Sequence, residues 1–197
     1  MAYPVKNICV YCGSNVGTNP AYAENAVALG QLMASQGIGL VYGGGMIGLM
    51  GVIANAVLEN GGQVVGIIPH ALNTVERRHT GLTESIVVDS MHERKALMAD
   101  RADAFVALPG GYGTFDEFFE IVTWSQLGIH PKPIVLFNMA GYYDALIGFV
   151  DKCVTEGFIR ANNRNLFKVG TTPEEVLDLI LNFQPVQSIL PVGEAKP

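Results

Sequence analysis

Short, almost uniformly apolar runs alternate along the chain with segments in which apolar residues recur every three or four positions. The apolar runs are ICVYC, IGLVYG, QVVGIIP, SIVVDS, AFVALPG and PIVLFN. Because polar residues do not alternate within them, they predict strands that are buried on both faces. The spacing between them predicts helices over residues 20–35, 48–59, 91–101, 114–127 and 142–156.

This order of elements predicts an α/β protein with a Rossmann-like, doubly wound parallel sheet and helices on both faces. We expect one domain over residues 1–184 and a C-terminal tail over 185–197. Thr172, followed by proline and two glutamates, predicts the start of a last helix. The charged segment 69–84 interrupts the apolar pattern and predicts a functional loop.

Composition narrows the possible partners. The formal charge of −6 on 197 residues argues against nonspecific binding to nucleic acid or to an anionic membrane, because both need a basic surface. No apolar run is long enough to span a membrane, and the sequence predicts a cytoplasmic protein. A phosphate group would therefore need a local binding device.

Three glycine-rich turns follow predicted strands and could supply that device. They are CGSNVG after the first strand, YGGGMIGLMG after the second and PGGYGTFDE after the fifth. Ligands of open parallel sheets bind where such turns lead into helices. The first strand ends in Gly13-Ser14-Asn15 rather than in the GxGxxG fingerprint of dinucleotide-binding proteins, and the sequence has no Walker pattern. In the fifth-strand turn, backbone N–H groups and the Thr114 hydroxyl predict a cradle for a phosphomonoester.

Two interpretations of Glu117 remain open at this level. Thr114 and Glu117 have the spacing of a capping box, in which the glutamate only stabilises the helix start. Alternatively, Glu117 lies one turn from the phosphate, at a distance that suits the sugar of a nucleotide. Arg94 and Lys95 begin the helix after the fourth strand, whose carboxyl end we expect close to the fifth-strand turn. They are either part of the site or a solvated charged face.

Cys9 and Cys12 form a CxxC spacing without a second cysteine pair. Within a strand, residues three apart face opposite sides, so we predict two structural thiols rather than a metal or redox site. The sequence has no cluster with ligand spacing, and we expect neither a metal nor a cofactor.

PGGYGTFDE with SMHERK upstream, together with CGS and YGGG, resembles the LONELY GUY family of cytokinin riboside 5′-monophosphate phosphoribohydrolases. The resemblance extends from about residue 6 to residue 181. It implies a Rossmann-like homodimer that hydrolyses the N-glycosidic bond of N6-substituted adenosine monophosphates and also of AMP. The products would be the free base and ribose 5-phosphate.

The resemblance also implies roles for individual residues. Arg94 and Glu117 match the catalytic pair of the family. The residues expected to bind substrate or its phosphate are Ser14, Gly44, Gly45, Glu76, Met91, Lys95, Gly110, Gly111, Tyr112, Gly113, Thr114 and Thr123.

Two other functions compete with hydrolysis. Members of the family have often been labelled lysine decarboxylases, which would require pyridoxal phosphate on Lys95 as a Schiff base. A nonenzymatic carrier of a nucleotide or of molybdenum cofactor could use the same cradle, with Glu117 as a helix cap only.

Overall fold

The structure is a computed structural model, and it describes residues 3–74 and 78–184. Within these residues seven strands form one parallel sheet in the order β4-β3-β2-β1-β5-β6-β7. The strands are β1 (Asn7–Tyr11), β2 (Gly39–Tyr42), β3 (Val64–Pro69), β4 (Glu84–Val88), β5 (Ala104–Ala107), β6 (Ile134–Phe137) and β7 (Lys168–Gly170). The predicted α/β class and parallel sheet are confirmed.

Six α-helices connect or follow these strands in the described part of the chain. They are α1 (Ala21–Ser35), α2 (Gly48–Glu59), α3 (Met91–Arg101), α4 (Tyr112–Gln126), α5 (Asp144–Thr155) and α6 (Pro173–Leu181). None of the described helices is long and apolar enough to cross a membrane. The predicted tail at 185–197 lies outside the described residues.

Helices cover both faces of the sheet, which explains the apolar strands of its centre; the edge strand β4 is largely exposed, with Val87 39% exposed, so its predicted burial on both faces is wrong. Ile8 and Val10 of β1 pack into a core with α1, α2 and α6, whereas Cys9 and Tyr11 pack into a second core with α3, α4 and α5. Alternate strand residues therefore enter opposite layers, and both layers are dry.

Cys9 and Cys12 belong to these opposite cores, as their spacing predicts. Both thiols are buried, and burial raises their pKa well above the usual value. No group of three or more potential metal ligands occurs within residues 3–74 and 78–184. The two thiols therefore face different layers and cannot act on one ligand together.

The order of the strands contradicts the expectation that the carboxyl end of the fourth strand lies close to the fifth-strand turn. The chain moves outward from β1 to β4, returns across the sheet through α3, and moves outward again from β5 to β7. β4 is therefore an edge strand, separated from β5 by three others, and its carboxyl end is not adjacent to the fifth-strand turn. Residues of α3 approach that turn because the helix crosses the sheet.

One strand was not predicted, and the start of α5 differs from the sequence expectation. β7 has only three residues, with the polar Lys168 first, and too little apolar pattern to predict it. α5 begins at Asp144 rather than at residue 142, because a 3₁₀ turn over Met139–Gly141 precedes it.

Candidate functional site

A cavity of about 500 Å³ opens at the carboxyl ends of β2, β1 and β5, where the direction of strand order reverses. This volume is within the usual range of small-molecule sites, and the switch point is where open α/β sheets bind ligands. The structure brings the three glycine-rich turns together here. They contribute Gly13, Ser14, Gly43, Gly45, Ile47, Gly111, Tyr112, Gly113 and Thr114.

Backbone hydrogen bonds join the turns at close range. Gly13 N–H donates to the Pro109 carbonyl over 3.0 Å, and Leu49 N–H donates to the Gly13 carbonyl over 3.0 Å. A Cβ atom at Gly110 would overlap the Thr114 hydroxyl and lie 3.0 Å from the Gly13 nitrogen. Gly110 therefore serves the close packing of the turns, and it lies behind the cavity surface.

The start of α4 presents backbone donors to the cavity. The helix begins after Gly111, and its first internal hydrogen bond runs from Phe115 N–H to the Gly111 carbonyl over 3.0 Å. The N–H groups of residues 112–114 therefore lack acceptors within the helix. Together with the positive end of the helix dipole, they suit an anion such as a phosphate.

The helix start also excludes the capping-box interpretation of Glu117. α4 begins at Tyr112, two residues before the expected start at Thr114, and Gly111 occupies its cap position. Thr114 is instead a buried residue in the first turn, 3% exposed, and Glu117 belongs to the second turn. A glutamate there is too far along the helix to reach back to the cap N–H group, so helix capping does not explain Glu117.

Glu117 instead forms a buried ion pair with Arg94. Arg94 Nη1 lies 3.5 Å from Glu117 Oε1, and the two side chains are 10% and 11% exposed. Arg94 Nε donates to the Ile67 carbonyl at the end of β3 over 3.1 Å, which fixes the plane of the guanidinium. Both side chains line the cavity beside the α4 start.

Burial raises the pKa of Glu117 from 4.5 to about 7, although the Arg94 guanidinium opposes the shift. Asp116 and Glu120 raise the pKa further, and Lys95 lowers it. A carboxyl with a pKa near 7 in a cleft is suited to acid-base work at neutral pH.

The remainder of the cavity is mainly apolar, and sequence reasoning missed most of it. It is formed by Val10, Tyr11, Cys12, Ile47, Met50, Ile68, Leu72, Met91 and Met98, of which Met91 alone was expected. Their positions at strand ends and on helix faces look like ordinary core positions in the sequence. The strand-end location of Tyr11, Cys12 and Ile68 was the one usable signal.

Other expected binding residues lie away from the cavity surface. Gly44, with a left-handed φ of 73°, turns the backbone between two lining glycines. Lys95 Nζ lies 3.0 Å from both Asp116 Oδ2 and Glu120 Oε1. The Thr123 hydroxyl donates to the Phe119 carbonyl beside a second, shallow hollow. Glu76 lies outside the described residues.

The surroundings of Lys95 also bear on the decarboxylase interpretation. Desolvation alone would lower the pKa of Lys95, but the carboxylates of Glu120 and Asp116 outweigh it and raise the pKa above its usual value. A Schiff-base lysine must lose its proton before it attacks a carbonyl. The geometry and charge of Lys95 do not fit that role.

Comparison with known proteins shows the family of the chain. The chain is 52% identical over 170 residues to an Oryza sativa subsp. japonica protein named "Probable cytokinin riboside 5′-monophosphate phosphoribohydrolase", covering 86% of this chain and 76% of that one. It is 46% identical over 180 residues to a cytokinin riboside 5′-monophosphate phosphoribohydrolase of Arabidopsis thaliana, covering 91% and 84%. The chain belongs to this phosphoribohydrolase family.

A family model described as "Possible lysine decarboxylase" matches residues 50–180. Among solved structures, the molybdenum cofactor binding protein of Rippkaea orientalis has a TM-score of 0.69 at 21% identity, covering 90% of this chain and 96% of that one. The molybdenum cofactor carrier protein of Chlamydomonas reinhardtii has a TM-score of 0.67 at 20% identity, covering 90% and 96%. At these identities the likeness concerns the fold alone.

Proposed function

We propose that this chain hydrolyses the N-glycosidic bond of N6-substituted adenosine 5′-monophosphates and of AMP, releasing the free base and ribose 5-phosphate. One observation carries the proposal: a buried carboxylate-guanidinium pair, Glu117 and Arg94, shares a cavity with the donor-rich start of α4. The names of relatives at 44–52% identity support the same reaction.

The 5′-phosphate is assigned to the α4 start, where the N–H groups of residues 112–114 and the Thr114 side chain surround an anion. Ser14 and Gly45 line the opposite wall, from the turns after β1 and β2, and Gly44 turns the backbone beside Gly45. With the phosphate held there, the ribose extends toward Glu117, one helical turn along α4. Binding energy from the phosphate then positions the bond that breaks.

Cleavage of the bond between C1′ and the base develops positive charge on the sugar. In its ionised form Glu117 stabilises that charge and accepts a proton from the attacking water, whose oxygen bonds to C1′. The base departs with the electrons of the broken bond and takes up a proton. Arg94 keeps the carboxylate in place and lowers its pKa enough for the ionised form to exist near pH 7.

The apolar part of the cavity supports a base that carries an alkyl substituent. Met50, Ile68 and Leu72 offer a surface that gains from contact with an isopentenyl group and gains less from an unsubstituted amino group. We therefore expect turnover of both nucleotides, with a lower KM for the substituted one.

The test is incubation of the protein with AMP and with N6-isopentenyl-AMP, followed by chromatographic detection of adenine or isopentenyladenine. Release of either base supports the hydrolase. Tight nucleotide binding without release of base would favour the carrier. A protein that binds neither nucleotide would contradict the assignment of the cavity.

We also propose that the protein is a homodimer. Within one chain Lys95 and Thr123 do not reach the cavity, so substrate contacts through them would require a second copy. The shallow hollow beside Thr123 is lined by the aromatic residues Phe115, Phe119 and Trp124. Aromatic side chains are enriched at interfaces between copies. One chain has a mass of 21.1 kDa, and sedimentation equilibrium should give twice that mass.

We infer a cytoplasmic location. Cys9, Cys12 and Cys153 are free thiols, as is usual in the reducing cytosol. Fractionation of the host cells, with detection of the protein by antibody, tests this location.

A further inference from the structure

We propose that Gly43 is a positioning residue for the reaction: the absence of a side chain at this position leaves the space in which the Arg94 guanidinium lies against Glu117. The inference deepens the proposed function and rests on it, because the pair that Gly43 positions is the proposed catalytic pair.

Gly43 directly follows β2, is buried and lines the cavity. A Cβ atom built on Gly43 would overlap Arg94 Nη2 and would lie 3.2 Å from Arg94 Cζ and 3.4 Å from Met50 Sδ. The space that an alanine methyl would take is thus the space that the guanidinium occupies.

The backbone does not explain a glycine at this position. Gly44, the next residue, has a φ of 73° and needs to be glycine for that reason. Gly43 is not among the residues with positive φ, so an L-residue fits its backbone. Glycine is therefore needed at two positions after β2 for different reasons. Gly44 allows the backbone turn, and Gly43 leaves space for the Arg94 guanidinium.

Arg94 has little freedom to accommodate a methyl group at position 43. Its Nε is bonded to the Ile67 carbonyl at 3.1 Å, and Nη1 lies 3.8 Å from Met91 Sδ and 3.5 Å from Glu117 Oε1. Rotation that moves Nη2 away from position 43 also moves Nη1, because the guanidinium is planar and rigid. Alanine at 43 should therefore loosen the contact with Glu117 while the fold persists.

Displacement of Arg94 has a consequence for the titration of Glu117. The charged groups that act on this carboxyl are Arg94 and Lys95 of α3 and Asp116 and Glu120 of α4, with the neutral Cys9, Tyr11 and Cys12 on the β1 side. Among the charged groups, Arg94 opposes the upward shift most strongly. Moving it away should raise the pKa of Glu117 and shift the acidic limb of the pH-rate profile to higher pH.

The experiment compares Gly43→Ala with the wild type on N6-isopentenyl-AMP over a range of pH. We expect kcat to fall by about tenfold to a hundredfold, with a smaller change in KM and an acidic limb at higher pH. In an Arg94→Ala background, Gly43→Ala should lower kcat by less than about twofold further, since the group that it displaces is gone. If the kcat of the double variant instead falls by the product of the two single-variant factors, the inference is overturned.

Gly30→Ala is the matched control for simple overpacking. Its Cβ would lie 2.9 Å from Ala56 Cβ and 3.1 Å from the Ile53 carbonyl oxygen, between α1 and α2 and away from the cavity. We expect a lower Tm with an unchanged pH profile. If Gly43→Ala behaves in the same way, its role is packing and the inference is wrong.

Two further measurements keep the test independent of activity and of folding. Titration of the Glu117 carboxyl by carbon-13 NMR should show a higher pKa in Gly43→Ala than in the wild type, even if neither nucleotide is hydrolysed; an unchanged pKa overturns the inference. If the wild type hydrolyses neither nucleotide, the proposed function is contradicted but the inference about Gly43 is not. If Gly43→Ala does not fold, the double variant with Arg94→Ala should recover folding, and its failure to do so would also overturn the inference.

Discussion

The start of α4 differs from the starts of α3 and α6 in how its backbone donors are satisfied. Ser90 Oγ accepts from Glu93 N–H over 3.1 Å, and Thr172 Oγ1 accepts from Glu175 N–H over 3.2 Å, so a hydroxyl caps each of those helices. α4 begins after Gly111, and no side chain in the described part of the chain caps it.

The hydroxyl-capped starts of α3 and α6 serve stability, whereas the uncapped start of α4 serves the proposed function. At α3 and α6 a glutamate in the third helical position also accepts an N–H from the residue before the cap: Glu93 from Asp89, and Glu175 from Thr171. These starts are satisfied internally and stabilise the fold. The α4 start lies on the cavity with its donors available. In the proposed function the phosphate of the substrate takes the place of the cap.

The largest expected effect tests the function of α4. Glu117→Gln keeps the size of the side chain and removes its charge, and we expect kcat to fall by on the order of a hundredfold or more. Because Glu117 lies in the second turn of α4 and takes no part in capping, no loss of a helix cap should accompany the change. Assays of base release on purified protein, with Tm measured in parallel, check both statements.

Glu120→Gln is the control on the same helix. Glu120 lies 3.0 Å from Lys95 Nζ, outside the cavity, and Asp116 remains as a second partner for that lysine. We expect kcat to stay within about twofold of the wild type, since a partly exposed ion pair contributes little. Near-normal turnover in Glu117→Gln would mean that the buried carboxylate is not part of the chemistry.

The second prediction removes the anion that replaces the cap. The nucleoside lacks the 5′-phosphate, and loss of several charge-assisted hydrogen bonds at the α4 start should lower kcat/KM by about tenfold to a hundredfold. Parallel assays of N6-isopentenyladenosine and its monophosphate measure the ratio. A ratio within about threefold, roughly 0.7 kcal/mol, would contradict the cradle.

The sequence predicted the sheet well because buried parallel strands carry a strong local pattern, as in QVVGIIP and PIVLFN. It misplaced the α4 start because Thr114 and Glu117 have capping-box spacing, and local spacing alone does not reveal that the helix begins two residues earlier, at Tyr112. Short or polar elements such as β7 lack the pattern altogether.

The position of the site residues could not be predicted from local sequence patterns, because it depends on how distant parts of the chain pack together. Arg94 approaches Glu117 because α3 crosses three strands between the edge of the sheet and β5, a path set by strand order. The sequence motif indicated the pair, but the reason first expected for their proximity, a neighbouring fourth strand, was wrong. Gly43 gave no separate signal within its glycine run, because its role depends on where a distant arginine lies.

The third prediction concerns pH. Burial raises the pKa of Glu117 from 4.5 to about 7 in the folded protein, so the unfolded chain releases this proton at lower pH. The contribution of the group to stability is therefore greatest below about pH 4.5, falls as pH rises to about 7, and stays low above that.

Because Gln does not titrate, the free energy of unfolding of Glu117→Gln minus that of the wild type should increase by about 2 kcal/mol between pH 5 and pH 8. Urea unfolding at both pH values measures the change, and Glu120→Gln serves as the control that should show little of it. A difference that does not depend on pH would show that Glu117 titrates normally and is not desolvated.

The smallest expected effect belongs to a helix start that has no contact with the cavity. Thr172→Ala removes the hydroxyl that caps α6 and should lower the free energy of unfolding by about 1 kcal/mol, whereas Thr172→Ser keeps the hydroxyl and should recover most of it. Turnover should be unchanged in both variants, because α6 packs on the face of the sheet opposite α4.

Ribose 5-phosphate, which is expected to occupy the α4 start, should raise the Tm of the wild type and of Thr172→Ala by similar amounts. If the loss of the α6 cap instead weakened ligand stabilisation or lowered kcat, the division between helix starts that stabilise the fold and a start that binds the ligand would be wrong.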